Sequence, residues 1–179
     1  MLDSPSFIIT DPAVNIYVTD QQELCERKID TFGVSTTVAG NGHPGFSGDN
    51  GLATNARMES VWGVARDVAG NLYITDQYVH RVRKVSISGI ITTIAGQNTA
   101  GTDGDNGPAT AARLIRPIGI ASDAAGNIYI GDPDARNIRK ISPSGVITLF
   151  AGVTGSFGYS GDGGPATNAQ IYLPYGLAT

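Results

Sequence analysis

Very little of this sequence is equipped for covalent chemistry. Its 179 residues include one cysteine, Cys25, two histidines, His43 and His80, and one tryptophan, Trp62. A lone cysteine excludes an intrachain disulfide and a cysteine zinc cluster, so Cys25 is expected to pack as a small apolar side chain. The two imidazoles stand at unrelated positions, whereas a catalytic zinc site takes three protein ligands. They are read as isolated, exposed side chains. Gly-x-Ser-x-Gly and Ser-x-x-Lys are absent. No run of about 20 apolar residues exists to span a membrane as a helix. The opening Met-Leu-Asp-Ser-Pro has neither a basic n-region nor an apolar h-region. The chain also stops inside a motif, so it reads as an excised piece and its compartment stays open. Cations are scarce too. Twelve Lys and Arg against sixteen Asp and Glu give a net charge of −4, which argues against a nucleic-acid surface.

What is abundant is glycine, 24 residues of it, and text that repeats. Asn15, Asn71 and Asn127 recur at a spacing of 56 (71 − 15 and 127 − 71), as do Gly40, Gly96 and Gly152. The third loop slips by one residue, since Asp49, Asp105 and Asp162 are separated by 56 and then 57. A fixed period of this size marks a solenoid, propeller or array. Helix-period stripes are nearly missing, and short β-branched runs alternate with Gly, Asn, Asp and Pro, so the fold class is all-β. Each unit reads as four strands followed by a long polar connection. The Ala-rich text after Gly51, Gly107 and Gly164 reads as one short helical turn, with Pro108 in its first turn. The units are 7–62, 63–118 and 119–172, and residues 173–179 supply the first strand of a fourth.

The recurring motifs are Gly161-Asp-Gly-Gly-Pro-Ala-Thr167, Pro117-Ile-Gly-Ile-Ala121 and Gly126-Asn-Ile-Tyr-Ile-Gly-Asp132. In this order and spacing the chain resembles the NHL-repeat family of β-propellers over nearly its whole length. The resemblance implies blades of four antiparallel strands arranged around a channel. Family members serve as protein-, peptide- or RNA-binding platforms and only sometimes as enzymes, so function is read separately from the residues.

Three blades fall short of the usual four to eight. Two copies would supply six, and a two-fold dimer is the commonest oligomer. The expected assembly is therefore a homodimeric six-bladed ring. Four first-strand segments serve three blades in each chain. Residues 176–178 match the motif better than 7–10, so they are expected to cross into the partner's first blade and remove an exposed edge.

The aspartates at strand ends, Asp20, Asp76 and Asp132, together with Asp11, Asp67 and Asp123, recur in every copy. An acidic ring around a cation is one reading, and a turn or inter-blade hydrogen bond is the favoured one. Asp49, Asp105 and Asp162 lie in glycine-rich loops with too few carboxylates for a calcium loop, and a structural role is expected. No cofactor or metal is assigned. The candidate binding surface is the face carrying the residue before each first-strand glycine, Trp62, Ile118 and Tyr175, and packing of Trp62 and Tyr175 between blades is the equal alternative. Tyr78 and Arg136 are expected to share it, with Arg66 lining the channel. The functional expectation is a non-catalytic, self-assembling scaffold binding a peptide, glycan or protein. The alternative is a metal-dependent propeller enzyme of lyase or lactonase type.

Overall fold

In a computed structural model, residues 2–179 are described and fold into three four-stranded antiparallel sheets, each a blade. Blade one holds β1 (Pro5–Thr10), β2 (Ile16–Asp20), β3 (Cys25–Ile29) and β4 (Ser35–Ala39). Blade two holds β5 (Val61–Arg66), β6 (Leu72–Asp76), β7 (Arg81–Val85) and β8 (Ile91–Gly96). Blade three holds β9 (Gly119–Ser122), β10 (Ile128–Asp132), β11 (Asn137–Ile141) and β12 (Ile147–Ala151). Strands follow chain order in every sheet. The first strands β1, β5 and β9 lie side by side and line an open groove together with residues 177–179. Among the described residues no helix is long and apolar enough to cross a membrane.

The core lies between the blades. Ala65, Tyr73 and Val82 of blade two meet Ile120, Ile128 and Ile130 of blade three, with Leu114 of the connection closing the seam. On the other side Val64, Leu72 and Ile74 meet Phe7, Ile9 and Tyr17 of blade one over Met58. Alternate residues of β6 thus serve opposite seams, and the whole strand is buried. Each connection carries a 3₁₀ turn, at Ala53–Asn55, Ala109–Ala111 and Ala166–Asn168. Pro108 sits one residue before its turn in extended backbone, as the cap and not as the first helical residue expected from the sequence.

The turn from first to second strand is built around one aspartate. Asp67 Oδ1 accepts the Asn71 N–H at 2.8 Å, and Oδ2 accepts the Asn71 side-chain amide and the Tyr73 hydroxyl. Asp123 and Asp11 repeat the arrangement. The turn needs a left-handed residue, which Gly70 (φ +94) and Gly126 (φ +82) supply without strain. Blade one places Val14 there at φ +63, a β-branched residue in a region it disfavours.

The aspartates of the long connections are anchors for buried arginines. Arg83, whose side chain is 0% exposed, binds Asp49 at 2.8 Å, the Ser47 carbonyl at 3.1 Å and the Arg57 carbonyl. Arg139 binds Asp105 at 2.7 Å and the carbonyls of Arg113 and Asp103. Each pair ties a connection to the blade that follows it.

Two stability changes follow. Asp49→Ala leaves a buried guanidinium without its carboxylate and lowers unfolding free energy by about 3 kcal/mol, the low end for a buried pair because Asp49 is partly exposed. Val14→Gly relieves backbone strain and raises it by about 1 kcal/mol. Urea denaturation of the two variants beside the parent chain measures both.

Candidate functional site

The turns between second and third strands end in a left-handed residue at equivalent positions: Leu24 (φ 49), His80 (φ 56) and Arg136 (φ 56). They open on the same side of the fan as the long connections and the starts of β5 and β9. Asp76 fixes this rim by accepting the N–H groups of Glu59 and Ser60 at 3.1 and 2.9 Å. Asp132 does the same for Ile115 and Arg116 at 2.6 and 3.0 Å, and Asp20 accepts the Asp3 N–H at 3.0 Å. Burial pushes the Asp76 carboxyl up to about 6, against those backbone donors, and raises Asp132. These aspartates are spent on architecture.

The Trp62 indole N–H donates to Ser60 Oγ at 3.2 Å, and that hydroxyl donates to the buried Gln77 side chain. One connection further on, Arg116 lies 3.5 Å from the Tyr175 hydroxyl and 3.5 Å from Asp134. Both members of that ion pair are more than a third exposed, so it is screened and cheap to break. Tyr78 projects from its turn at 65% exposure. Together these groups form a rim of aromatic faces, one guanidinium and one carboxylate, capable of stacking and charge-assisted hydrogen bonding.

Trp62, Tyr78 and Tyr175 therefore lie on the expected face. Ile118 does not belong to it. Its side chain is 1% exposed in the seam between blades two and three, and its carbonyl accepts the Thr75 hydroxyl. The Cβ missing at Gly63 leaves room for that carbonyl to approach. Arg136 is half-buried and stacked on Phe157, 3.3 Å from the ring centroid. Arg66 ends β5 and lines the groove at the opposite end of the strand from Trp62. Asp49 and Asp105 hold arginines as described, while Asp162 is exposed and accepts the Tyr159 hydroxyl. His43 is exposed, but His80 is half-buried, its Nδ1 paired with the Ile115 carbonyl. It fastens one turn to the next connection. Cys25 is buried, and desolvation pushes its thiol up to about 11.

Arg116, Asp134, Ser60 and Gln77 were not singled out from the sequence. The available signal was their change of identity at fixed repeat positions, where Ser60 answers to Arg116, and Tyr78 to Asp134.

Among the described residues no three His, Cys, Asp or Glu side chains stand close enough to share an ion. Among the described residues one hydroxyl–carboxyl pair is wholly buried, Thr19 donating to Glu26 at 3.0 Å. Glu26 is wholly buried where the other blades carry Val82 and Ile138. Desolvation pushes its carboxyl up to about 8, against the Thr19 hydroxyl. No substrate reaches this pair from solvent.

A family model described as the Teneurin NHL domain matches residues 99–158. The protein SUPPRESSOR OF QUENCHING 1, chloroplastic, of Arabidopsis thaliana is 28% identical over 146 residues, 76% of this chain and 14% of that protein. Human Teneurin-4 is 34% identical over 103 residues, 50% of this chain and 4% of its own length. A crystal structure of a Bacteroides thetaiotaomicron protein of unknown function superposes with TM-score 0.77 at 22% identity, covering 99% of this chain and 42% of that one. The chain thus spans a small part of these relatives and under half of that structure.

Glu26 gives a pH test. Its folded carboxyl titrates above its unfolded value near 4.5, so the native state binds the extra proton between those limits. Stability falls as pH rises from about 4.5 to 8 and is flat beyond for this group. Glu26→Gln keeps the shape and removes the titration. Its melting temperature matches the parent's at low pH and exceeds it above about pH 8.

Proposed function

We propose that this chain, a segment of an NHL-repeat β-propeller, is a non-catalytic binding and scaffold module. Its loop face takes a peptide, glycan or protein, and a second copy completes its ring. One observation carries the reading. The acidic side chains that recur are occupied inside blades one to three, whereas Trp62, Tyr78, Arg116 and Tyr175 vary between repeats and gather on one rim. Aromatic and Arg side chains on such a rim are the residue types that anchor interfaces. The acidic balance of the chain weighs against nucleic acid as the ligand. No arrangement of side chains favours the lyase or lactonase alternative, since no metal-ligating group converges among the described residues and the Thr19–Glu26 pair is sealed between blades.

The test is binding to arrays of peptides and glycans, followed by titration of the best binder against Trp62 fluorescence, which reports on this rim because the chain has one tryptophan. Tyr78→Ala combined with Arg116→Ala weakens binding at least about tenfold, the loss of one or two anchors. Arg66→Ala, at the far end of the strand, leaves it unchanged. Chemical conversion of an arrayed compound, or binding indifferent to the rim variants, contradicts the proposal.

A further inference from the structure

Two repeat-equivalent clefts open at the internal seams, one between blades one and two and one between blades two and three. The first, of about 490 Å³, has Tyr17, Lys28 and Val38 on its blade-one wall and Leu72, Val85 and Ile87 on its blade-two wall. The second, of about 410 Å³, presents Tyr73, Lys84, Ile94, Ile128, Ile141 and Pro143 at the same repeat positions. Both walls of each cleft are blades of this chain, so neither cleft needs a further repeat to form it.

The two clefts differ in charge. Arg66, at the end of β5, borders the first, while its repeat equivalent Ser122 does not border the second. The Arg66 guanidinium lies over the turn from β5 to β6. A Cβ on Gly70 would stand 3.0 Å from its Nη2 and 3.2 Å from Cγ2 of Ile87, whereas one on Gly126 would meet only Pro143. The two lysines differ as well. Lys84 Nζ lies 5.6 Å from the centre of the Tyr73 ring, a cation–π contact. Among the described residues Lys28 makes no contact of that kind.

Neither cation of the first cleft has a counter-ion. Four ion pairs occur among the described residues, and neither Lys28 nor Arg66 belongs to one. No Asp or Glu lines the cleft. The carboxylates of the adjoining turns are occupied, Asp11 by the Asn15 and Tyr17 side chains and Asp67 by those of Asn71 and Tyr73. Both cations are half-buried, so each has given up part of its hydration without gaining a partner. Two such charges on one concave surface raise its potential and draw an anion.

The remaining lining sets the kind of anion. Most of it is apolar, and Ile87 is 79% exposed beside the guanidinium. The volume falls within the range of small-molecule sites, roughly 300–1,000 Å³, which combine apolar walls with a few convergent polar groups. A guanidinium receives a carboxylate through two parallel N–H donors, and a bare inorganic anion would leave the apolar walls in water.

We propose that the cleft between blades one and two is a second binding site, one that takes a small organic carboxylate. The carboxylate sits on Arg66 and Lys28, and an apolar body packs against Leu72, Val85 and Ile87. The site lies at the opposite end of β5 from Trp62, so it is read separately from the rim.

Benzoate is the probe, titrated into the ¹⁵N-labelled full chain and followed by NMR. Saturable shifts are expected at Lys28, Arg66, Gly70 and Ile87 and not at their equivalents Lys84, Ser122 and Gly126. Arg66→Ser, which copies the second cleft, and Lys28→Gln each weaken binding at least about tenfold, the loss of one charge-assisted contact. Neither substitution removes an ion pair, and the same spectra confirm that each variant folds. Benzyl alcohol, which lacks the charge, and inorganic phosphate, which lacks the apolar body, each bind at least about tenfold more weakly than benzoate. Shifts that fail to saturate, or that spread over the surface cations at large, overturn the site. Folded variants that bind benzoate as the parent does overturn the roles of Arg66 and Lys28. Phosphate or benzyl alcohol binding as tightly as benzoate overturns the assigned class of ligand.

Discussion

A sheet that is apolar on both faces has to be covered on both faces, and the rest of this structure follows from that constraint. β6 has no solvent side, so blade two is stable only between two others. The seams are where the chain spends its apolar residues, and the long connections act as gaskets that carry Met58 or Leu114 into them. The polar parts serve the same end. Asp76 and Asp132 hold the rim of the next inner strand, while Asp49 and Asp105 neutralise arginines that would otherwise be buried charges. Stability is therefore additive over neighbouring seams, in the manner of a one-dimensional array.

The repeat made much of this legible in advance. Asn15, Asn71 and Asn127 marked one turn in three copies, and the β-branched runs after them are the second strands. Asp76 and Asp132 accept backbone N–H groups and Asp67 and Asp123 close turns, while Asp162 is exposed. What stayed hidden was direction. Ile118 and Trp62 occupy the same repeat position, yet Ile118 is buried while Trp62 is half-buried with its indole N–H on Ser60, a difference that periodicity does not carry. His80 looked like a free imidazole since nothing in the sequence places the Ile115 carbonyl beside it. The Arg–Asp anchors escaped notice because they join a connection to a strand 34 residues further on, a contact invisible to local periodicity. Val14 was visible as a missing glycine, but its left-handed backbone emerged only with the turn.

Function divides along the same line. Residues that repeat build the blades and their seams, and the proposed recognition rests on residues that break the repeat. Trp62, Tyr78, Arg116 and Tyr175 interrupt otherwise constant text and share one rim, whereas the carboxylates of the three blades are already bound. Glu26 is the exception inside the core, a carboxyl placed where other blades use a branched alkyl group.

Small-angle X-ray scattering of the parent chain over a range of concentrations tests the proposal that a second copy completes the ring of this three-blade fan. A closed six-bladed disc gives twice the chain mass and a single-peaked, compact distance distribution that does not change on dilution. A particle of one chain mass, with the profile of an open fan at every concentration, would contradict the account.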